Sequence, residues 1–190
     1  MPRLVHDTDH ILDTAAQLLR TGGVAGVTVS AVVRAAGVSS GSVYHRFPDR
    51  AALLGALWTR TLARYHTAAY PLFDGDPVEA AVALAGYTVR WCAANPLDAH
   101  VMLTGAARFG ADAWPEMVRA ERDAENERWN SAMRDLVARL GEQTGRGRTA
   151  LLLAAVDLPI AAVRRYLTSG SAIPADLADV TAALVRDALR

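Results

Sequence analysis

The chain has no lysine: all 20 of its basic residues are arginines, and 20 acids bring the formal charge to zero. Net charge therefore argues neither for nor against a nucleic-acid partner. A single cysteine, Cys92, excludes an intrachain disulfide and a thiolate metal cluster among these 190 residues. Aromatic residues are few while alanine and leucine dominate, which favours helices over sheet. No apolar run is long enough to span a bilayer and no charged-then-apolar leader opens the sequence, so a cytoplasmic protein without membrane contact is expected. Strand-like alternation, internal repeats and low-complexity tracts are missing. So are a Gly-rich phosphate loop and the HExxH or ExxH metal patterns. The five histidines are scattered and form no nucleophile–base set with Cys92 or a serine, so the expectation is no enzyme, no metal and no cofactor.

What is present concentrates between Thr28 and Leu53, TVSAVVRAAGVSSGSVYHRFPDRAAL. Val29, Val32, Val33 and Ala36 recur at helical spacing and give a first short helix one buried face. Gly37 stands where a helix end needs a left-handed residue. Ser39 follows as an N-cap for a second helix. Val43 and Phe47 are the large apolar residues of that helix, whereas Ser40, Gly41, Ser42, Tyr44, His45 and Arg46 are small, polar or outward in register. This is the layout of a helix-turn-helix whose second helix enters a DNA major groove. Charge agrees in sign: residues 1–70 hold seven arginines against four acids, and the rest holds thirteen against sixteen.

The same stretch resembles the DNA-binding motif of TetR-type repressors, with a threonine opening the first helix, an A-G-V-S turn, and a tyrosine and phenylalanine closing the recognition helix. Arg50 and Leu53 match the basic residue and leucine that begin the next helix. Ser40 departs from the pattern, where a longer side chain is common, and so does Val33, where alanine is usual. The resemblance implies DNA contacts from Thr28, Ser39, Ser40, Gly41, Ser42, Tyr44, His45, Arg46 and Arg50. For Arg50 a physical argument runs alongside. A cation in the first turn of a helix opposes the helix dipole, and a DNA phosphate would remove the conflict. Thr28 also has a structural task as an N-cap.

Elsewhere the pattern predicts an all-α chain of about nine helices. A first helix, capped by Asp7 or Thr8 after a polar arm over Pro2–His6, buries Ile11, Leu12, Ala15, Leu18 and Leu19 and ends at Gly22–Gly23. Asp49 caps a fourth helix running to about Tyr70. A break at 71–76 divides a DNA-binding domain (1–70) from a ligand-binding and dimerisation domain (71–190). Asp76-Pro77-Val78-Glu79 reads as a capping box opening the fifth helix. A seventh helix is expected from Trp114-Pro115 to Leu140, ending at Gly141. Residues 151–163 are apolar almost all round except Asp157 and Pro159, so this helix needs cover on two sides, the body and a second subunit. With the last helix, from about Pro174, it would form a four-helix interface in a homodimer. Asp157 is a lone charge there, and an arginine across the interface is the expected partner, with a polar ligand group as the alternative.

The family resemblance further implies a small-molecule effector in a cavity of the C-terminal body. Tyr87, Trp91, Met102, Phe109, Trp114, Met117 and Trp129 are the candidate lining, although aromatic and methionine residues at helical spacing also build ordinary core. The expected function is a ligand-responsive regulator, a repressor that binds a palindromic double-stranded operator as a homodimer. The alternatives are a helical ligand-binding or adaptor protein without operator function and a helical enzyme. An adaptor predicts a neutral or acidic recognition helix, against which His45, Arg46 and Arg50 speak.

Overall fold

The computed structural model describes residues 3–190, with side chains from residue 8 onwards. Among these residues every regular element is helical and there is no strand. Helix α1 (Arg3–Gly26) starts ahead of the expected cap at Asp7 or Thr8. Pro2 of the expected arm lies outside the described residues. The helix breaks at Gly23 (φ 63°), so the anticipated stop is real and a single turn follows it. Next come α2 (Val29–Ala36), α3 (Ser40–Arg46) and α4 (Arg50–Ala69). Asp49 caps α4 by accepting from the Ala52 amide at 2.7 Å.

A 3-10 turn, Tyr70–Phe73, leads to α5 (Pro77–Ala94), then α6 (Pro96–Thr104), two further 3-10 turns and α7 (Glu116–Thr144). Gly141 does not end α7. It stays helical, and the chain turns out at Gly145, whose φ of 68° suits glycine. Asp76 caps α5 through the Glu79 amide, but Glu79 does not complete the box. Its carboxylate instead forms a two-pronged pair with Arg186.

The last elements are α8 (Arg148–Leu152), a π-helical turn (Leu153–Asp157), α9 (Leu158–Ser169) and α10 (Leu177–Leu189). The first three run on as one rod, which makes nine helices among the described residues. Pro159 accounts for the wide turn. Proline has no N–H and its ring crowds the carbonyl four residues earlier, and the turn relieves this by pairing the Leu158 amide with Leu153, five back. No described helix is long and apolar enough to cross a membrane.

The chain divides into two compact units, residues 1–63 with 97–124, and residues 64–96 with 125–190. This division differs from one at residues 70/71, because 97–124 packs with the N-terminal helices. Helices α4 and α7 each contribute to both units. The first unit is centred on Ile11, Leu19, Val27, Val32, Val43, Leu53, Leu54 and Leu57, all buried, with Val101, Phe109 and Trp114 joining them. Gly55 lets α4 approach α7 there, since a Cβ would sit 2.7 Å from a methyl of Val118. Arg60 ties α4 to α1 and α6. Its guanidinium lies 3.2 Å from Asp9, 2.8 Å from Asp13 and 3.6 Å from Asp98. The second unit packs α5, α10 and the end of α7 around Ala81, Ala85, Leu136, Leu140, Leu151, Val185 and Leu189.

Candidate nucleic-acid interface

Two hydroxyl caps position the short helices α2 and α3. Thr28 accepts from the Ala31 amide at 3.1 Å and Ser39 from the Ser42 amide at 3.2 Å. Gly37 closes α2 in the left-handed conformation (φ 66°), as the turn requires. A seven-residue helix such as α3 is marginal by itself, so packing must hold it. Val43 and Phe47 supply that anchor, both buried in the first unit.

The opposite face of α3 is open. Ser40, Gly41, Tyr44 and His45 are exposed, and Tyr44 keeps 51% of its surface in solvent. A Cβ added at Gly41 would meet no protein atom, so packing does not require glycine there. The bare backbone lowers the helix surface on its outward side. Arg34, on neighbouring α2, is exposed as well and was not among the expected contacts. Its signal was available, since it lies one position outside the apolar stripe Val29, Val32, Val33 and Ala36.

Arg46 and Arg50 are engaged within the protein. The Arg46 guanidinium donates to the Ser42 carbonyl (2.9 Å), the Ser42 hydroxyl (2.7 Å) and the Thr8 hydroxyl (3.1 Å). Arg50 donates to the carbonyls of Val27 (2.7 Å) and Val24 (2.6 Å). The conflict with the α4 dipole thus has an internal answer: the cation sits on carbonyls at the end of α1, where positive charge is favoured. Arg50 remains exposed, so this role leaves part of its surface available. His10 adds a further clasp, its Nε2 donating to the Ala36 carbonyl at 2.9 Å.

The seven residues expected to line a cavity are distributed between the two units. In the first, Phe109 and Trp114 are buried and Met102 is partly buried against that core, the Trp114 indole donating to the Phe109 carbonyl at 3.2 Å. Met117 is 74% exposed, so it lines no enclosed space within its unit. Its register on α7 turns it to solvent. In the second unit Tyr87, Trp91 and Trp129 gather with Tyr65, His66, Tyr70 and Phe73. His66 stacks flat on Trp129 with ring centres 4.1 Å apart, and Glu125 Oε1 accepts from both His66 Nδ1 and the Tyr70 hydroxyl at 2.7 Å. Arg128 lies 3.8 Å above the Tyr70 ring.

Burial lowers the pKa of His66 despite the opposing carboxylate of Glu125. Burial likewise pushes Tyr65 up to about 12 and the Cys92 thiol up to about 12, so Cys92 stays protonated at neutral pH. His66, Tyr65 and Glu125 were absent from the sequence-based set. A histidine in a run of polar and small residues gave no pattern to mark it.

Comparison with known proteins agrees with this geometry. Residues 11–57 match the family described as bacterial regulatory proteins, tetR family. The chain is 31% identical over 72 residues to the HTH-type transcriptional regulator AcrR of Shigella flexneri, a match covering 36% of this chain and 34% of that regulator. The chain thus spans about a third of the length of the curated relative it matches. Two solved structures share the fold over nearly the whole chain. The fatty acid degradation regulator FadR from Bacillus halodurans has a TM-score of 0.72 at 17% identity, covering 96% of this chain and 94% of its own. FadR from Bacillus subtilis, solved in complex with stearoyl-CoA, has a TM-score of 0.71 at 13% identity, covering 95% and 97%. Residues 11–57 thus carry the helix-turn-helix of the tetR family of bacterial regulatory proteins, and the chain as a whole shares the fold of these two solved structures.

Proposed function

We propose that the protein is a cytoplasmic, ligand-responsive transcriptional regulator, a repressor that binds a palindromic operator as a homodimer and is released by a small apolar or amphipathic effector. One observation carries the DNA-binding part: α3 is anchored by Val43 and Phe47 while Ser40, Gly41, Tyr44 and His45 stay open. Tyr44 and the Thr28 and Ser39 hydroxyls suit phosphate oxygens, and His45 and Ser40 suit base edges. Arg46 orients α3 against α1, and Arg50 holds the end of α1 while offering its exposed edge to a phosphate.

Functionally, residues 1–70 read DNA and 71–190 take the effector and form the dimer. The stearoyl-CoA of the Bacillus subtilis neighbour supports an effector with a long apolar part. Exposed Leu153 of the π-helical turn and Val180 and Leu184 of α10 supply apolar surface for a subunit contact. Because α4 is shared by both units, it offers a covalent route from effector to DNA head. The effector need only bind the DNA-incompetent state more tightly than the competent one. No residue is given a catalytic role.

The deciding experiment is fluorescence anisotropy of the purified protein on labelled duplex from its own upstream intergenic region, at fixed salt with excess competitor DNA. Saturable binding that survives competitor is the expected result. Binding that competitor abolishes, there and on duplexes selected from random sequence, would sink the operator reading.

A further inference from the structure

The exposed face of α9 carries a charge pattern that is its own complement. Asp157, Ile160, Ala161 and Arg164 follow one another at helical spacing, and with Arg165 and Thr168 they line an open groove of about 460 Å³. Asp157 and Arg164 lie about 10.5 Å apart along the axis, too far to pair with each other. Neither has an ion-pair partner in its own chain among the described residues. Arg165 is different, since its guanidinium reaches the Tyr166 hydroxyl at 2.5 Å and lies 4.6 Å from that ring.

Asp157 and Arg164 stand equally far on either side of the Ile160–Ala161 peptide. A two-fold axis through that peptide would set α9 antiparallel to its copy, bringing each Asp157 opposite the other copy's arginine at 164. Helices that pack 8–10 Å apart leave a span that an arginine and an aspartate bridge. Ala161, at the centre, allows that approach. We infer that this stripe is the register key of the homodimer: two reciprocal Asp157–Arg164 ion pairs flank an Ile160–Ala161 centre and select a second copy of this chain as partner. The inference rests on the dimer reading above. A slip of one helical turn breaks both pairs, and a parallel arrangement sets aspartate against aspartate and arginine against arginine. Repulsion in the wrong arrangements thus specifies the right one.

The test is sedimentation equilibrium of the full chain and its variants, with circular dichroism to confirm folding. Wild type is expected to be a dimer. Asp157→Arg should weaken the dimer roughly ten- to a hundredfold, because both pairs become repulsive, and Arg164→Asp should do the same. Mixing the two single variants should restore association. In the heterodimer one chain carries arginine and the other aspartate at both positions, so each pair is again opposite in charge. The double exchange in one chain should restore a homodimer. A monomeric wild type would overturn the dimer reading itself. A dimeric wild type whose single variants associate unchanged would overturn the register key alone, as would variants that weaken the dimer yet gain nothing on mixing.

Discussion

The two compact units bury different chemistry. The first is filled around the helix-turn-helix by aliphatic side chains such as Ile11, Val32, Val43, Leu53 and Leu57. Its charged groups form clasps, Arg60 on Asp9, Asp13 and Asp98, and Arg50 on two carbonyls. The second encloses rings that carry polar atoms. His66 lies between Trp129 and Glu125, and the Tyr65 hydroxyl pairs with Thr88 at 2.8 Å. An aliphatic core asks only for volume, whereas a ring cluster also asks for each polar atom to keep its partner. The first unit therefore holds its helices by volume and by charged clasps at its rim. The second couples its packing to the protonation of His66.

Substitution at the ring cluster should have the largest effect. Trp129 touches Tyr65, His66, Tyr70 and Phe73, so Trp129→Ala removes packing from four rings at once. A loss of about 2–4 kcal/mol is expected in chemical denaturation, below that of a fully buried tryptophan because Trp129 is only partly buried. A loss below about 1 kcal/mol would show that the cluster is loosely packed, as a vacant effector site would be. Next comes Arg50→Ala, which frees the Val24 and Val27 carbonyls and should cost about 1–2 kcal/mol, discounted for their access to water. On DNA it should also lower the salt-dependence slope by about one unit, across all sequences. Stability lost with no change in slope would assign Arg50 to the clasp alone.

Local rules were the part of the fold most legible in the residues. Thr28, Ser39, Asp49 and Asp76 each cap the helix expected of them, because an N-cap depends on a hydroxyl or carboxylate and its next three amides. Gly141 misled because glycine permits a helix end without forcing one, and Gly145 took that role. The side chains of Arg46 and Arg50 were legible in type and position but not in occupation. Arg46 reaches Ser42 within its own helix, but the remaining acceptors, Thr8, Val24 and Val27, are 23 to 38 residues away, and a one-dimensional pattern does not bring them near. The candidate cavity residues were legible as buried rings rather than as one group. Helical spacing marks a buried ring but not the unit that buries it, so Met102, Phe109 and Trp114 fell in the first unit and Tyr87, Trp91 and Trp129 in the second.

A smaller effect is expected at the recognition helix. Ser39→Ala removes one cap bond from exposed backbone and should cost about 1 kcal/mol, with thermal melts as the readout. The companion loss on DNA should exceed this, since a frayed α3 presents Tyr44 and His45 in fewer productive conformations. Equal losses in stability and in DNA affinity would assign Ser39 to folding only.

The smallest effect separates the two units by pH. Burial lowers the folded pKa of His66 below its ordinary 6.5, so between those two values the unfolded chain binds a proton that the folded one does not. Stability from this group is therefore full above the unfolded value and falls as pH drops from about 6.5 towards the folded pKa. The neutral ring also fixes the tautomer. Glu125 accepts, so Nδ1 carries the hydrogen. His66→Gln keeps a donor and removes the titration, and its denaturation midpoint should change less than wild type between pH 7 and 5.5. His100, in the first unit, also has a lowered pKa, from burial first and from nearby Arg20 second, and is the counterpart to compare. Both variants should flatten the pH profile, His66→Gln the more; if His100→Gln flattened it more, the titrating core would lie in the first unit, and the contrast between the two would reverse.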